Sequence, residues 1–390
     1  MKNAIKETVR IGIRKGFAIL YRMLWIFPVR KKLIFFQSYE KAIGYCGNPK
    51  YLCEYLLQAG AGYELIYAVN RNAEKPEIPG VMFIEYGGLQ WLRALATAGT
   101  VIFNARAPLF LTRRKGQTTI NTWHAGGAYK KTGVSVAGAG NERVMCLSNE
   151  KNRKYFSLYL SSSEKFTETN IRQAIGYEGK ILNSGMPRND LFFDERRTAE
   201  ADRKIREGLG LKKEDYLVLV APTFRADGDG RNGNYAGFPF DKAERILREE
   251  TGRKVVFLIR KHHKDPTEYP IGQGMKDVSG YDDTQELLCA ADLLMTDYSS
   301  VIWDFCLLNR PAILYATDRQ EYERADRGFF TPIESWPAVL CETETEIEEC
   351  LRKAVREDPK DRNAKYLASM GSYEKGKACE TVCREIEREQ

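Results

Sequence analysis

The sequence predicts an α/β protein built from two doubly wound parallel-sheet domains. Its 390 residues exceed what one hydrophobic core usually serves, so two domains of roughly 150 to 200 residues each are expected. Short apolar runs alternate with amphipathic stretches along the whole chain, the pattern of strand, helix, strand in a parallel sheet. In both halves those runs end in polar turns that carry histidine, hydroxyl or acidic residues, most visibly in the stretch Ser279 to Asp304.

Residues 2 to 27 place Lys2, Lys6, Arg10 and Arg14 along one side, with Ile5, Val9, Ile13, Phe17, Leu20, Leu24 and Phe27 beside them at helical spacing. Such a helix suits the plane of a membrane surface, because Arg14, Lys15 and Arg22 interrupt the apolar part before it could span a bilayer. An ordinary packed helix is the alternative, and a cleaved leader is disfavoured by the lack of a small-residue cleavage site before Pro28. Lys32 to Gln37 reads as the first strand, Pro49 to Ala59 as a helix, Tyr63 to Val69 and Val81 to Glu85 as strands, Gly88 to Ala98 as a helix and Thr100 to Asn104 as a strand. Gln117 to Trp123 ends another strand, directly before His124. Arg143 to Leu147 is expected as a strand closed by Ser148-Asn149, followed by a helix from Glu164 to Ala174 and a strand from Lys180 to Ser184.

The charged run from Asp194 to Lys213 is expected as helix and linker between the domains. Beyond it, Tyr216 to Val220 and Lys254 to Ile259 read as strands, with a Gly- and Asp-rich loop from Asp227 to Gly237 and a helix from Asp241 to Thr251 between them. Tyr281 to Ala291 is a helix, Asp292 to Thr296 a strand, Asp297-Tyr298-Ser299-Ser300 a turn and Val301 to Leu308 a helix start. A turn of that kind can cap the helix, or its free N–H groups and hydroxyls can seat a phosphate. Ala312 to Tyr315 is a strand, Gln320 to Phe330 a polar loop, and Thr343 to Val355 and Tyr373 to Arg388 are helices, the last expected to pack back across the first domain. The boundaries implied are 1–30 for the surface helix, 31–200 and 201–365 for the two domains, and 366–390 for the closing helix.

The net charge of +7 gathers in clusters such as Arg30-Lys31-Lys32 and Arg113-Arg114-Lys115, which favours anionic partners such as a membrane surface. No interleaving of aromatic and basic residues resembles an RNA-binding module, so no nucleic acid is expected. Nine cysteines without any C-x-x-C spacing read as reduced thiols. Neither a P-loop nor a G-x-G-x-x-G motif is present, which counts against P-loop hydrolysis and an ordinary dehydrogenase. No metal or other cofactor is expected.

Chemistry concentrates at the strand ends. The three histidines, His124, His262 and His263, each follow a strand, and two sheets facing one cleft would bring His124 and His262 together. One imidazole could then take a proton while the other stabilises negative charge. Lys130, Lys131, Arg188, Thr223, Arg225, Arg260, Ser299, Ser300 and Arg327 cluster at the same edges, a set matched to a phosphorylated ligand.

Seven stretches occur in order: W-H-A-G-G-A-Y-K-K-T-G (Trp123 to Gly133), G-M-P-R-N-D (Gly185 to Asp190), A-P-T-F-R (Ala221 to Arg225), R-K-H (Arg260 to His262), T-D-Y-S-S-V-I-W-D (Thr296 to Asp304), Arg310-Pro311 and R-G-F-F (Arg327 to Phe330). Together, from about Phe36 to Phe330, they resemble the CDP-glycerol glycerophosphotransferase family of teichoic acid and cell-surface polymer synthesis. The resemblance implies a GT-B-like architecture of two Rossmann-like domains and attachment to the cytoplasmic face of the cell membrane. His124 would then be the base and His262 the second catalytic histidine. The donor, CDP-glycerol or another CDP-polyol, would meet Thr223, Arg225, Arg260, Asp297, Ser299, Ser300, Arg188, Asn189 and Arg327. Gly126, Gly127 and Lys130 would lie toward a membrane-anchored, lipid-linked acceptor; here Ala125-Gly126-Gly127 stands where many members carry Gly-Thr-Pro. Two rivals remain: a nucleotide-sugar glycosyltransferase of the same fold, and an idle nucleotide-binding surface protein.

Overall fold

The computed structural model describes residues 16–39, 42–73, 75–132, 142–223, 235, 237–261, 271–272, 274–325 and 328–389. A helix over 16–23, α1, opens the described chain and continues as a short 3-10 turn, Leu24–Ile26. It is followed by β1 (Arg30–Gln37), α2 (Gly47–Gln58), β2 (Glu64–Val69), β3 (Val81–Glu85), α3 (Leu89–Thr97), β4 (Ala98–Phe103), β5 (Thr118–Asn121), α4 (Glu142–Tyr155) and β6 (Leu158–Ser161). Then α5 (Glu164–Phe166) runs on as a π-helical stretch, Thr167–Ile175, and β7 (Lys180–Asn183) ends the first sheet. After α6 (Glu195–Leu209) come β8 (Tyr216–Ala221), α7 (Phe240–Thr251), β9 (Val255–Ile259), β10 (Met275–Asp277), α8 (Thr284–Ala290), β11 (Leu293–Thr296), α9 (Val301–Cys306), β12 (Ala312–Tyr315), α10 (Arg319–Ala325) and β13 (Val339–Cys341). Helices α11 (Ile347–Arg356), α12 (Lys360–Ser369) and α13 (Ala378–Glu389) close the chain.

The first sheet has the order β3-β2-β1-β4-β5-β6-β7 and the second β10-β9-β8-β11-β12-β13, with every described pairing parallel. Each order reverses direction once, between β1 and β4 and between β8 and β11. The chain leaves the sheet on opposite faces at such a point, which opens a crevice at the carboxyl ends of the two strands. The central strands are buried throughout, as β4, β8 and β9 show, because helices cover both faces and water reaches neither.

Two expectations are corrected. Residues 143–147 lie in α4, not in a strand. The polar pair that suggested a turn is used inside the helix instead: Asn149 is buried with its amide on the Ala174 carbonyl, and buried Asn152 bonds the Ser148 carbonyl and the Ala107 N–H. The strand falls later, at β6. The polar loop expected from Gln320 is largely α10, with an i, i+4 pair between Arg319 and Glu323.

Helix α13 packs its apolar side, Cys379, Val382, Cys383 and Ile386, into the core built on Ile34, Phe36 and Leu160 of the first sheet. Its Glu385 and Glu389 hold Lys180 on the edge strand β7. Tyr21 of α1 is fully buried and donates to the Thr112 carbonyl at 3.0 Å, while Ile19, Leu20, Met23 and Ile26 remain exposed. Among the described residues no helix is long and apolar enough to cross a membrane.

Candidate functional site

The crevice of the first sheet is built by asparagines. Strand β5 ends at Asn121, whose side-chain oxygen accepts the Trp123 N–H at 2.8 Å, and the Asn48 amide donates to the Thr122 and Trp123 carbonyls at 3.1 and 2.9 Å. These bonds hold Trp123 at φ +52°, a left-handed conformation that costs a bulky residue about 1–3 kcal/mol. The turn aims His124 into the crevice, where its Nδ1 lies 3.0 Å from the carbonyl of Asn104 at the end of β4. A carbonyl can only accept, so Nδ1 carries the proton and the Nε2 lone pair is left for chemistry. The Asn104 side chain also accepts the N–H of Tyr39, at the end of β1, at 2.5 Å. Trp123 and Tyr39 flank the imidazole, with ring centroids 5.0 and 5.7 Å away.

The His124 side chain is exposed to solvent, yet protein stands around it, the situation of a ring on the floor of an open cleft. Desolvation there, helped by the cations Arg188, Arg106 and Lys130, pulls its pKa from 6.5 to about 4 against the opposing pull of the Asn104 carbonyl. The ring is neutral near pH 7 and can accept a proton.

The crevice of the second sheet places Thr223 after β8 and Asp297 after β11. Asp297 is fully buried, and its Oδ1 accepts the Thr223 and Tyr298 N–H groups at 2.8 and 2.6 Å. Ser299 and Ser300 follow, half-buried at the start of α9. Arg260 leaves the end of β9 with its guanidinium on the carbonyls of Val278 and Tyr281, at 3.3 and 2.5 Å. Burial lowers its pKa while the nearby Tyr39, Asp283, Cys46 and Asp282 oppose this, which sets Arg260 against first-domain residues across the cleft. Arg225, His262 and Arg327 lie outside the described residues.

The loop after His124 crosses to the second domain. The Lys131 N–H donates to the Gly328 carbonyl at 2.9 Å, the Phe330 N–H donates to the Tyr129 carbonyl at 2.7 Å, and Lys130 bridges Phe329. Gly126 and Gly127, expected at the acceptor, are buried for a packing reason. A Cβ on Gly126 would come within 2.1 Å of the Trp303 ring, and one on Gly127 within 1.9 Å of the Tyr129 ring.

Arg188 and Asn189, expected at the donor, sit in the link between the domains. Arg188 is buried and forms two parallel bonds of 3.0 Å to Asp304 of α9, and the Asn189 amide donates to Asp304 and Glu374 at 3.0 and 3.1 Å. Gln285 adds a fourth donor to Asp304 at 3.0 Å. A second link runs from Lys50 on α2 to Asp283, which caps α8, and to Glu286 within α8, with the Tyr51 hydroxyl on Asp283 at 3.0 Å. Sequence reasoning passed over Tyr39, Asn48, Asn104, Asp304 and Glu374. Asn104 carried a usable signal, since it follows an apolar run as His124 does, and Asp304 closes the T-D-Y-S-S-V-I-W-D stretch; a tail Glu374 carried none. Among the described residues no group of three or more His, Cys, Asp or Glu side chains could hold a metal ion.

The arrangement pairs a neutral imidazole, its Nε2 without a partner among the described residues, with a crevice of backbone N–H, hydroxyl and guanidinium groups. That can deprotonate a hydroxyl beside an anionic ligand. The model of the family described as CDP-Glycerol:Poly(glycerophosphate) glycerophosphotransferase matches residues 19–388. The chain is 28% identical over 400 residues to the teichoic acid poly(glycerol phosphate) polymerase of Bacillus spizizenii, covering 99% of this chain and 100% of that protein. It is 28% identical over 398 residues to the teichoic acid glycerol-phosphate transferase of Staphylococcus aureus, covering 99% of each. Of another relative it spans about half the length, 47%. A structure of the wall teichoic acid polymerase TagF soaked with CDPG superposes with a TM-score of 0.81 at 25% identity, over 100% of this chain and 98% of that one.

Proposed function

This chain belongs to the CDP-glycerol:poly(glycerophosphate) glycerophosphotransferase family, and from that premise we propose that it transfers glycerol phosphate from CDP-glycerol to a hydroxyl of a lipid-linked acceptor in teichoic acid synthesis. The observation that carries the reading is His124, its Nδ1–H tied to the Asn104 carbonyl and its Nε2 without a partner among the described residues, at the first crevice of a two-sheet enzyme. Nε2 takes the proton of the acceptor hydroxyl as that oxygen attacks the phosphorus bearing glycerol. The bond from that phosphorus to the CMP oxygen breaks, CMP leaves with the electron pair, and the proton remains on His124 until solvent removes it. The Thr223 region, Asp297, Ser299, Ser300 and Arg260 at the second crevice receive the donor, and the cations there offset charge that grows on the leaving phosphate. His262, Arg225 and Arg327 join them in this reading, with Lys130 on the acceptor side.

The enzyme works at the cytoplasmic face of the membrane in this proposal. Support comes from the exposed row Ile19, Leu20, Met23 and Ile26 on a segment whose other side packs on the first domain. A lipid-linked acceptor is confined to that surface, so an enzyme lying on it meets its substrate far more often. The test is CMP release across a panel of CDP-polyols with and without a lipid-linked acceptor. Acceptor-dependent release from CDP-glycerol is expected; turnover of nucleotide sugars alone would replace this reading with glycosyl transfer.

A further inference from the structure

We propose that Glu374 is a positioning residue that holds the loop beside His124 in register with the second domain; the catalytic part of this inference rests on the transferase reading above. After α12 the chain returns to the first domain as a strap. The Gly371 and Met370 carbonyls accept the Glu164 and Lys165 N–H groups at 3.0 and 3.1 Å, Ser372 bridges Ser163, and the Tyr373 N–H donates to the Ser162 carbonyl at 2.8 Å. The strap delivers the Glu374 carboxylate to the seam between the domains. There it accepts the Met186 N–H at 3.0 Å and the Asn189 amide at 3.1 Å from the first domain, and the Trp303 indole N–H at 3.0 Å from the second.

Trp303 is fully buried, and its indole lies against the backbone of Gly126, two residues after His124. On the other side, the Gly126 carbonyl accepts the Ser162 hydroxyl, and Ser162 is the residue that the strap grips through Tyr373. Gly126 is therefore held from both sides by groups that the segment carrying Glu374 locates. Burial, then the adjacent Asp304 carboxylate, push the Glu374 carboxyl up to about 7 against the pull of its three donors. A carboxyl group in that setting costs stability unless its geometry is needed. Geometry is what it supplies: one oxygen pair that accepts three donors at once, two from the turn over Met186–Asn189 and one from α9.

The experiment compares Glu374→Ala, Glu374→Gln and Trp303→Phe in the full chain, using amide hydrogen exchange and steady-state CMP release. In Glu374→Ala, exchange in residues 125–132 is expected to rise about tenfold with β1, β4 and β8 unchanged. The kcat is expected to fall about tenfold or more with the donor KM within about twofold, since small misalignments at a reacting centre are costly. Trp303→Phe keeps the ring against Gly126 but removes the N–H, so adding Glu374→Ala to it costs less than in the wild type. Glu374→Gln retains an acceptor for Trp303 and Asn189 while facing the Met186 N–H with an amide; it gives the same pattern at smaller size and serves if the alanine variant does not fold. Unchanged exchange in 125–132, or a rise spread over both sheets, overturns the proposal. A wild-type protein that releases no CMP refutes the transferase reading instead, and the exchange comparison still decides the role of Glu374.

Discussion

The imidazole of His124 and the main-chain carbonyl of Asn104 share one hydrogen bond of 3.0 Å, and that bond decides which nitrogen of the ring can act as a base. Because the partner is a carbonyl, no change of protonation at a neighbouring side chain can reverse the tautomer. The strained Trp123 turn and the asparagines that hold it exist to bring these two groups together.

His124→Ala should lower turnover by about 10²-fold or more with donor affinity near normal. Initial rates and calorimetric titration with CDP-glycerol check this, and near-wild-type turnover would remove His124 from the role of base.

The depressed pKa of His124, about 4, makes two claims about pH. Activity per enzyme should rise with pH through the region near 4 and stay level from there toward neutrality, since the neutral ring is the active form. The folded state disfavours the charged ring, so this group's contribution to stability is complete above pH 6.5 and is lost as pH falls through 4. His124→Gln should flatten both dependences in rate and urea-unfolding profiles measured from pH 4 to 8.

Asp304→Ala should leave Arg188 buried without its carboxylate and cost about 3–5 kcal/mol of unfolding free energy. Replacing Arg188 and Asp304 together by apolar residues should cost much less than the sum of the single changes. Denaturant unfolding measures both, and additive losses would show that the pair is not coupled.

Asp297→Ala should free the Thr223 and Tyr298 N–H groups from their acceptor. Leaving such donors buried costs about 1–3 kcal/mol, and the altered turn should weaken donor binding in the same variant. A calorimetric affinity for CDP-glycerol equal to wild type would put the donor elsewhere.

Replacing Ile19, Met23 and Ile26 by serine should reduce sedimentation with anionic vesicles and slow transfer to a lipid-linked acceptor, with transfer to a soluble acceptor analogue kept. These side chains are 63%, 62% and 83% exposed, so the fold loses little. Arg114, within the basic cluster at 113–115, is a poor candidate for lipid contact. Its guanidinium is taken up by the carbonyls of Trp25, Phe27 and Ala96, and Arg114→Ala should loosen the N-terminal segment instead.

Much of this protein was legible in its sequence. Alternating apolar strands and amphipathic helices gave the parallel α/β class, because burial on both sheet faces demands continuous apolar strands. His124, Thr223, Asp297, Ser299, Ser300 and Arg260 stood out because each follows such a strand, and a strand's carboxyl end is where a doubly wound sheet opens a crevice. The tertiary structure alone decided the rest. Arg188 and Asn189 have the chemistry of a phosphate site, and only the tertiary structure shows that Asp304, more than a hundred residues later in sequence, holds both at the seam between the domains. Gly126 and Gly127 suggest a ligand loop, and only the fold shows that the rings of Trp303 and Tyr129 leave no room for a Cβ at either position. Glu374 has no local pattern of its own, and the pattern around Asn149 pointed to a turn, because a hydrogen-bond partner supplied by a distant segment leaves no periodicity in the residues that receive it.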